Sequence, residues 1–195
     1  MNDLNGLKLG VALCGSFCTF SKAIHTIEEL TKLGVDIYPI MTQTAYETST
    51  RFGEAANIIN QIETLTNKKI INNIVTAEPL GPKNIIDALL IAPCTGNTLA
   101  KMALGITDSA VLLAAKSLMR NGKPVIITLA SNDALGANLK NIGEMLNKKN
   151  IYFTPLGQDD PAKKPYSLVA DFSLIQKTLA LALNGEQIQP VLIHY

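Results

Sequence analysis

Runs of Val, Ile and Leu alternate along the chain with longer segments of helical period, and this alternation constrains the fold most. Apolar runs without polar interruptions are typical of parallel strands that are covered on both faces. Segments whose apolar residues recur about every three to four positions indicate amphipathic helices between those strands. The sequence therefore predicts an α/β fold with a doubly wound parallel sheet, a flavodoxin-like or Rossmann-like three-layer sandwich.

The same patterns predict the positions of the individual elements. Strands are expected at residues 7–14, 35–41, 85–92, 125–130 and 151–156, with a further weak strand within 68–84. Helices are expected at residues 24–33, 57–65, 98–104, 109–120, 135–149 and 167–184. Since no repeat, low-complexity tract or linker divides the chain, we expect a single domain over residues 1–195.

Composition weighs against two classes of partner. The 17 basic and 16 acidic side chains give a net charge of +1, and only 5% of the residues are aromatic. Nucleic-acid binding needs basic surface and stacking platforms, so we expect no nucleic-acid partner. The apolar runs are far shorter than the roughly 20 residues that span a bilayer, so we expect no membrane partner.

Residues 1–6 lack the basic start of a signal peptide, which predicts a cytoplasmic protein.

Few side chains in the sequence are candidates for catalysis or for metal binding. The three cysteines, Cys14, Cys18 and Cys94, are odd in number and have no neighbouring histidine, which predicts free thiols and no metal. His194 lies next to the terminus, and His25, which falls in the first helix, is interpreted as a packed or surface residue rather than a catalytic one. Cys94 is interpreted as a small buried thiol rather than a nucleophile. The catalytic residues therefore stay unassigned.

Polar loops follow several of the predicted strands, and they form the candidate binding site. In open parallel sheets, ligands bind at the carboxyl ends of strands, where helix N-termini offer unpaired N–H groups. Three such loops, after strands 7–14, 85–92 and 125–130, contain small and hydroxyl-bearing residues, and the loop after 35–41 adds a fourth set of polar groups. The candidate cofactor-binding residues are Gly15, Ser16, Thr19, Thr42, Pro93, Cys94, Thr95, Asn97, Thr98, Ala130, Ser131 and Asn132.

The motif chemistry of these loops favours a mononucleotide. The dinucleotide fingerprint and the Walker A lysine are both absent, so NAD and ATP fit less well. An alternative is that the hydroxyl groups only cap helices, with Asn97 or Thr98 as an ordinary N-cap. For the first loop alone the two interpretations weigh about equally. The convergence of three loops favours a binding site over chance capping.

Residues 91–101, followed by Gly105-Ile106-Thr107-Asp108, resemble the signature of the FMN-binding cysteine decarboxylase-type flavoproteins. Gly15-Ser16 falls at the phosphate loop of that family and Thr42 at its second-strand motif. The resemblance implies FMN as the cofactor. It also implies a homo-oligomer, commonly built from trimers, in which the flavin lies against a neighbouring subunit.

A closer likeness to one member of the family is carried by residues 13–20, 128–136 and 157–161. That likeness implies a separate partner subunit and a small dicarboxylate substrate. It implies that NAD(P) enters the reaction only through the partner subunit, if at all. Lys163 and Lys164 are interpreted either as a solvated charge cluster or as groups that pair with the dicarboxylate.

The sequence departs from the family at two positions. The decarboxylases carry a Pro-x-Met-Asn motif where this chain has residues 130–133, Ala-Ser-Asn-Asp, and they carry a histidine that residues 76–84 lack. The departures weigh against decarboxylation or prenyl transfer. Two hypotheses therefore lead: a protein that contributes to an oxidoreductase-type synthase, and a non-catalytic protein that binds a ligand and organises its partner.

Overall fold

The computed structural model describes residues 4–194; residues 1–3, on which the signal-peptide expectation partly rests, lie outside them, as does residue 195. The strands are β1 (Lys8–Leu13), β2 (Asp36–Met41), β3 (Ala88–Cys94), β4 (Val125–Ser131), β5 (Ile151–Phe153), β6 (Leu156–Gly157) and β7 (Leu168–Ala170). The helices are α1 (Phe20–Lys32), α2 (Gln43–Glu47), α3 (Ala55–Thr66), α4 (Ile74–Ala77), α5 (Gly96–Ala103), α6 (Ala110–Arg120), α7 (Leu139–Leu146) and α8 (Ile175–Leu183).

The first five strands form a parallel sheet in the order β2-β1-β3-β4-β5. One core cluster joins a face of this sheet to α1, α3 and α8, and a second cluster joins the opposite face to α4, α5, α6 and α7. Every residue of β3 is buried, as a strand covered on both faces requires. The predicted doubly wound α/β sandwich is confirmed, with the strand order of flavodoxin-like folds.

An antiparallel extension of the sheet differs from the prediction. The sequence predicts one helix over residues 167–184, yet this segment begins as β7, and the helix starts only at Ile175. Because β5 ends at Phe153, the last residues of β4 keep a free edge, and β7 pairs with Ala130 and Ser131 there. β6 then pairs with β7. This extension carries residues 157–169 over the carboxyl edge of the sheet.

Two other predicted elements are shorter than expected. The weak strand within 68–84 is reduced to a single bridge from Ile71 to β2, after which the chain forms α4 and a 3₁₀ turn. The helix expected from residue 135 begins at Leu139. The Asp133 carboxylate accepts the N–H of Ala137 at 3.1 Å, which holds the preceding residues in a turn.

The edges of the sheet are occupied by other groups of the described chain. Ile71 exchanges two backbone hydrogen bonds of 2.9 Å with the edge of β2. On β5, the side-chain amide of Gln187 accepts from the N–H of Phe153 and donates to its carbonyl, both at 2.7 Å. Leu156 of β6 makes backbone hydrogen bonds to Val191 and Ile193.

Among residues 4–194, no helix combines the length and apolar character needed to cross a bilayer.

Candidate functional site

A cleft of about 450 Å³ opens at the carboxyl edge of the sheet. Its volume lies within the range of small-molecule sites. Several of the candidate binding residues line it: Gly15, Ser16, Thr19, Thr95, Ala130, Ser131 and Asn132. The three loops that the sequence singled out therefore converge on one cavity.

The loop after β1 contributes one hydroxyl group that the fold leaves available. The Ser16 N–H donates to the carbonyl of Cys14 at 2.7 Å, which bends the chain sharply after the strand. The Thr19 hydroxyl donates back to the carbonyl of Ser16 at 2.8 Å. The Ser16 hydroxyl caps no helix, and its contact within the described chain is the Cys18 sulfur at 3.9 Å. Ser16 can therefore donate to a ligand, whereas Thr19 is already engaged.

The loop after β3 turns directly into α5. Thr95 is the N-cap of this helix, because its hydroxyl oxygen accepts the N–H of Thr98 at 3.3 Å. The expectations that Asn97 or Thr98 would cap, and that the helix would start at residue 98, are wrong. The strand runs to Cys94 and leaves a single residue before the first helical turn, so the cap falls earlier. Asn97 is exposed and Thr98 is buried at the start of α5.

Gly96 allows the third loop to approach α5 closely. A Cβ atom at Gly96 would lie 2.5 Å from Asn138 Nδ2 and 2.7 Å from Ser131 Oγ. The loop is braced by the Asp133 carboxylate, which accepts from the Asn138 side chain at 3.4 Å, while Ser131 Oγ accepts the Asp133 N–H at 3.3 Å. The O–H of Ser131 is left to donate into the cleft. Gly96 was not among the predicted residues. Its role is recognised from the structure, where a side chain at this position would clash with Asn138 and Ser131.

The remaining candidate residues lie outside the cleft lining. Thr42 caps α2 by accepting the N–H of Ala45 at 3.3 Å. Pro93 and Cys94 are buried in β3, where the Pro93 carbonyl accepts the N–H of Cys14 at 3.1 Å. Together with Asn97 and Thr98, they support the loops around the cleft without lining it.

The cleft also contains charged side chains from two segments whose role the strand pattern did not predict. Lys164 donates to the Asp159 carboxylate at 2.9 Å, and this hydrogen bond lowers the pKa of Asp159. The Arg51 guanidinium lies 4.9 Å from the centre of the Phe52 ring, and both residues line the cleft. Lys164 is one of the two lysines that the sequence offers for a dicarboxylate, whereas Arg51 was missed because nothing in sequence spacing places residues 50–53 at this edge.

Histidine does not line the described cleft. His25 is exposed on α1, with Nδ1 4.0 Å from a Glu28 carboxylate oxygen. Its interpretation as a surface residue agrees with this position. Among the described residues, no cluster of three or more His, Cys, Asp or Glu side chains is arranged to hold a metal ion.

The three cysteines differ sharply in environment. Cys14 and Cys94 are buried, and Cys18 is exposed in the cleft. Burial raises the pKa of Cys14 to about 11, against smaller opposing effects of hydrogen bonds from Thr98 and Thr95. Burial, followed by the nearby Cys14 sulfur, raises the pKa of Cys94 well above its usual value. Both buried sulfurs therefore remain protonated thiols at neutral pH.

We expect a thiol reagent such as a maleimide to modify one cysteine of the native protein at pH 8, because only Cys18 is exposed. Cys18→Ser removes the fast labelling, and denaturation exposes the buried thiols; both are followed by mass spectrometry. If Cys14 or Cys94 of the Cys18→Ser variant were still labelled at the original rate, Cys18 would not be the exposed, reactive thiol.

Comparison with known proteins identifies relatives over nearly the whole chain. A family model described as Flavoprotein matches residues 1–169. The B subunit of the dipicolinate synthase of Bacillus subtilis (strain 168) is 46% identical over 193 residues, which cover 99% of this chain and 96% of that protein.

Solved structures agree with this likeness. The crystal structure of the dipicolinate synthase B subunit from Bacillus halodurans matches with a TM-score of 0.90 and 45% identity over 98% of each chain. A dodecameric FMN-dependent Ubix-like decarboxylase from Escherichia coli O157:H7 matches with a TM-score of 0.63 and 19% identity, covering 76% of this chain and 80% of that one. The second match reflects a shared fold.

Proposed function

Since the chain belongs to the Flavoprotein family, we propose that it binds FMN in the cleft and serves as the B subunit of a dipicolinate synthase. With the A subunit of that synthase, it converts a hydroxylated tetrahydrodipicolinate of the lysine pathway into dipicolinate for bacterial spores. The observation that carries the proposal is the convergence of the β1, β3 and β4 loops on one cleft, in a chain with a full-length dipicolinate synthase relative.

The setting of this function is part of the proposal. The protein works in the cytoplasm of the mother cell of a sporulating bacterium, as a homo-oligomer built from trimers. Any NAD(P) chemistry belongs to the A subunit. The name of the B. subtilis relative supports a partner subunit, and the dodecameric decarboxylase supports homo-oligomeric assembly on this fold.

Space beside Gly15, hydrogen-bond donors and apolar side chains in the cleft support FMN as its ligand. A Cβ atom at Gly15 would lie 3.4 Å from the Thr44 methyl group, an ordinary packing distance, so the fold itself has room for a side chain there. Because Gly15 and Phe17 both line the cleft, the missing side chain leaves space beside the position proposed for the phosphate. The hydroxyl groups of Ser16 and Ser131 and the N–H groups that begin the first helical turns are donors, which a phosphate requires. Phe17 and Val169 add apolar surface for a ring.

The proposed reaction removes water and two electrons from the substrate, and bound FMN would supply the two-electron acceptor. In this proposal Ser16 and the start of α5 hold the phosphate, and Ser131 with Asn132 orient the ring or the substrate. Asp159 is held as a carboxylate by Lys164, so the described cleft presents neither an unpaired carboxylate nor a histidine as a general base.

A second candidate function follows from that last observation. The protein would be a non-catalytic component that binds a ligand and organises or activates the A subunit, which then carries the chemistry. It is favoured by a described cleft lining that contains no histidine and one carboxylate, already paired.

Two experiments distinguish these functions. The purified protein is titrated with FMN, and dipicolinate formation is assayed with each of the two subunits alone and with both together. We expect flavin absorbance to co-purify or to titrate with one FMN per chain, and dipicolinate to form only when both proteins are present. Bleaching of the flavin on adding substrate identifies a redox role, whereas activity that needs the chain but not the flavin supports the organising role. If the partner alone is fully active, both proposals fail.

Gly15→Ala is expected to weaken FMN binding by at least tenfold while leaving the thermal midpoint within a few degrees of wild type. The added methyl group would lie at ordinary distances from Thr44 and from the Phe17 ring, and because Gly15 and Phe17 line the cleft it would take up space at the proposed phosphate loop. Gly143→Ala is the matched control, because a Cβ there meets nothing within 4 Å and lies in α7, remote from the cleft. Equal FMN affinity for Gly15→Ala and wild type would argue against phosphate binding at this loop.

A further inference from the structure

A tight turn at residues 50–53 presents two side chains to the cleft. Thr50 and Gly53 exchange backbone hydrogen bonds of 3.0 Å in both directions, and the Phe52 N–H donates to the Thr50 hydroxyl at 3.1 Å. Gly53 has φ +151°, a conformation that favours glycine. The Ser49 hydroxyl accepts the N–H of Ala55 at 3.0 Å and ties the turn to the start of α3. Arg51 and Phe52 therefore project from a well-braced loop.

The charges of the cleft do not balance. Lys164 is neutralised by Asp159, with 2.9 Å between Nζ and Oδ2. Within the described chain Arg51 contacts no carboxylate; its charged group lies against the ring of Phe52. The cleft therefore presents one uncompensated guanidinium, next to an aromatic ring that is 49% exposed.

We propose that Arg51 and Phe52 determine substrate specificity: the guanidinium binds a carboxylate of a cyclic dicarboxylate, and the Phe52 ring packs against its six-membered heterocycle, which becomes planar when the aromatic product forms. This inference deepens the function proposed above and rests on it. A guanidinium offers parallel N–H donors that match the two oxygens of a carboxylate, and partial removal from water strengthens that pair. An aromatic ring beside it favours a six-membered ring, most strongly the flat ring of the product, over a flexible open-chain diacid.

Neither side chain is needed to hold the fold. Both are exposed, and the turn is closed by backbone groups and by the hydroxyl groups of Ser49 and Thr50. Substitutions at Arg51 and Phe52 should therefore change ligand binding without unfolding the protein. Arg120, the other arginine of the chain, ends α6 away from the cleft and provides a matched control.

The test uses the full chain loaded with FMN and titrated with pyridine-2,6-dicarboxylate in a calorimeter. Pyridine-2-carboxylate, which lacks one carboxylate, and the open-chain diacid pimelate are the comparison ligands. We expect Arg51→Ala to weaken binding of the dicarboxylate at least tenfold, Arg51→Lys to recover part of that loss, and Phe52→Leu to weaken it severalfold. Arg120→Ala should bind like wild type. Phe52→Leu should also reduce the preference for the aromatic ligand over pimelate.

Flavin affinity, measured on the same variants by absorbance, separates this inference from the proposed function. Unchanged flavin affinity with weakened dicarboxylate binding supports it. If Arg51→Ala loses flavin as strongly as dicarboxylate, the guanidinium serves the cofactor and the inference is overturned. It is also overturned if Arg51→Ala binds the dicarboxylate like wild type, or if wild type binds none at millimolar concentration. A wild-type chain that takes no FMN refutes the cofactor proposal, and the same titration of the flavin-free chain then decides the role of Arg51.

Discussion

Phe153→Ala lowers the free energy of unfolding by about 3–5 kcal/mol, the largest loss we expect from a single change in this chain. Phe153 is fully buried in the core cluster that joins the sheet to α4, α5, α6 and α7. It ends β5, a strand of three residues, so its ring supplies much of the packing that fixes this edge of the parallel sheet. Removing the ring leaves a cavity that the rigid strands around it can fill only in part.

Urea denaturation followed by circular dichroism measures this loss. Phe52→Ala is the matched control, because it removes the same ring from a half-exposed position. It should lower the free energy of unfolding by less than ~1 kcal/mol. Similar losses for the two variants would show that the packing around Phe153 had been misjudged.

Thr128→Val is expected to lower the free energy of unfolding by about 1–3 kcal/mol, although valine nearly matches threonine in shape. The Thr128 and Thr154 hydroxyl groups are both fully buried and lie 2.8 Å apart, each being the hydrogen-bonding partner of the other. Valine at position 128 leaves the Thr154 hydroxyl in an apolar interior without its partner.

The double variant Thr128→Val/Thr154→Val removes both hydroxyl groups and should recover most of the lost stability. The interaction free energy from the four proteins, again by urea denaturation, should therefore be at least about 1 kcal/mol. Two single losses that simply add in the double variant would mean that the pair makes no specific contribution.

The central strands could be predicted because strands that are buried on both faces consist almost entirely of apolar residues. β3 is a continuous apolar run, and β4 is apolar except for Thr128 and its last residue, Ser131, so no tertiary information was needed to find them. β7 could not be found in this way. Its three residues pair with the free edge of β4, and that edge exists because β5 is short. A pairing between residues far apart in sequence leaves no local period.

The candidate site, too, could be predicted only in part from the sequence. Strand ends position Gly15, Ser16 and Ser131, and a polar loop after a buried strand is visible in the sequence. Hydrogen bonding decides which hydroxyl groups remain available, so the commitment of Thr19 and Thr95 to the backbone of their own helices could not be predicted. The arrival of Arg51 at the cleft depends on the path of a loop, which residue patterns do not specify.

The occupied edges of the sheet limit how copies of this chain can assemble. A strand with unpaired N–H and C=O groups is a template on which another chain can add its own strand. Here Ile71 covers β2, the Gln187 amide substitutes for a neighbouring strand at β5, and Val191 and Ile193 cover β6. Growth of one protomer's sheet into the next is thereby blocked at these positions. The homo-oligomer proposed above would then be joined through the side chains of helices and loops rather than by strand pairing at these positions.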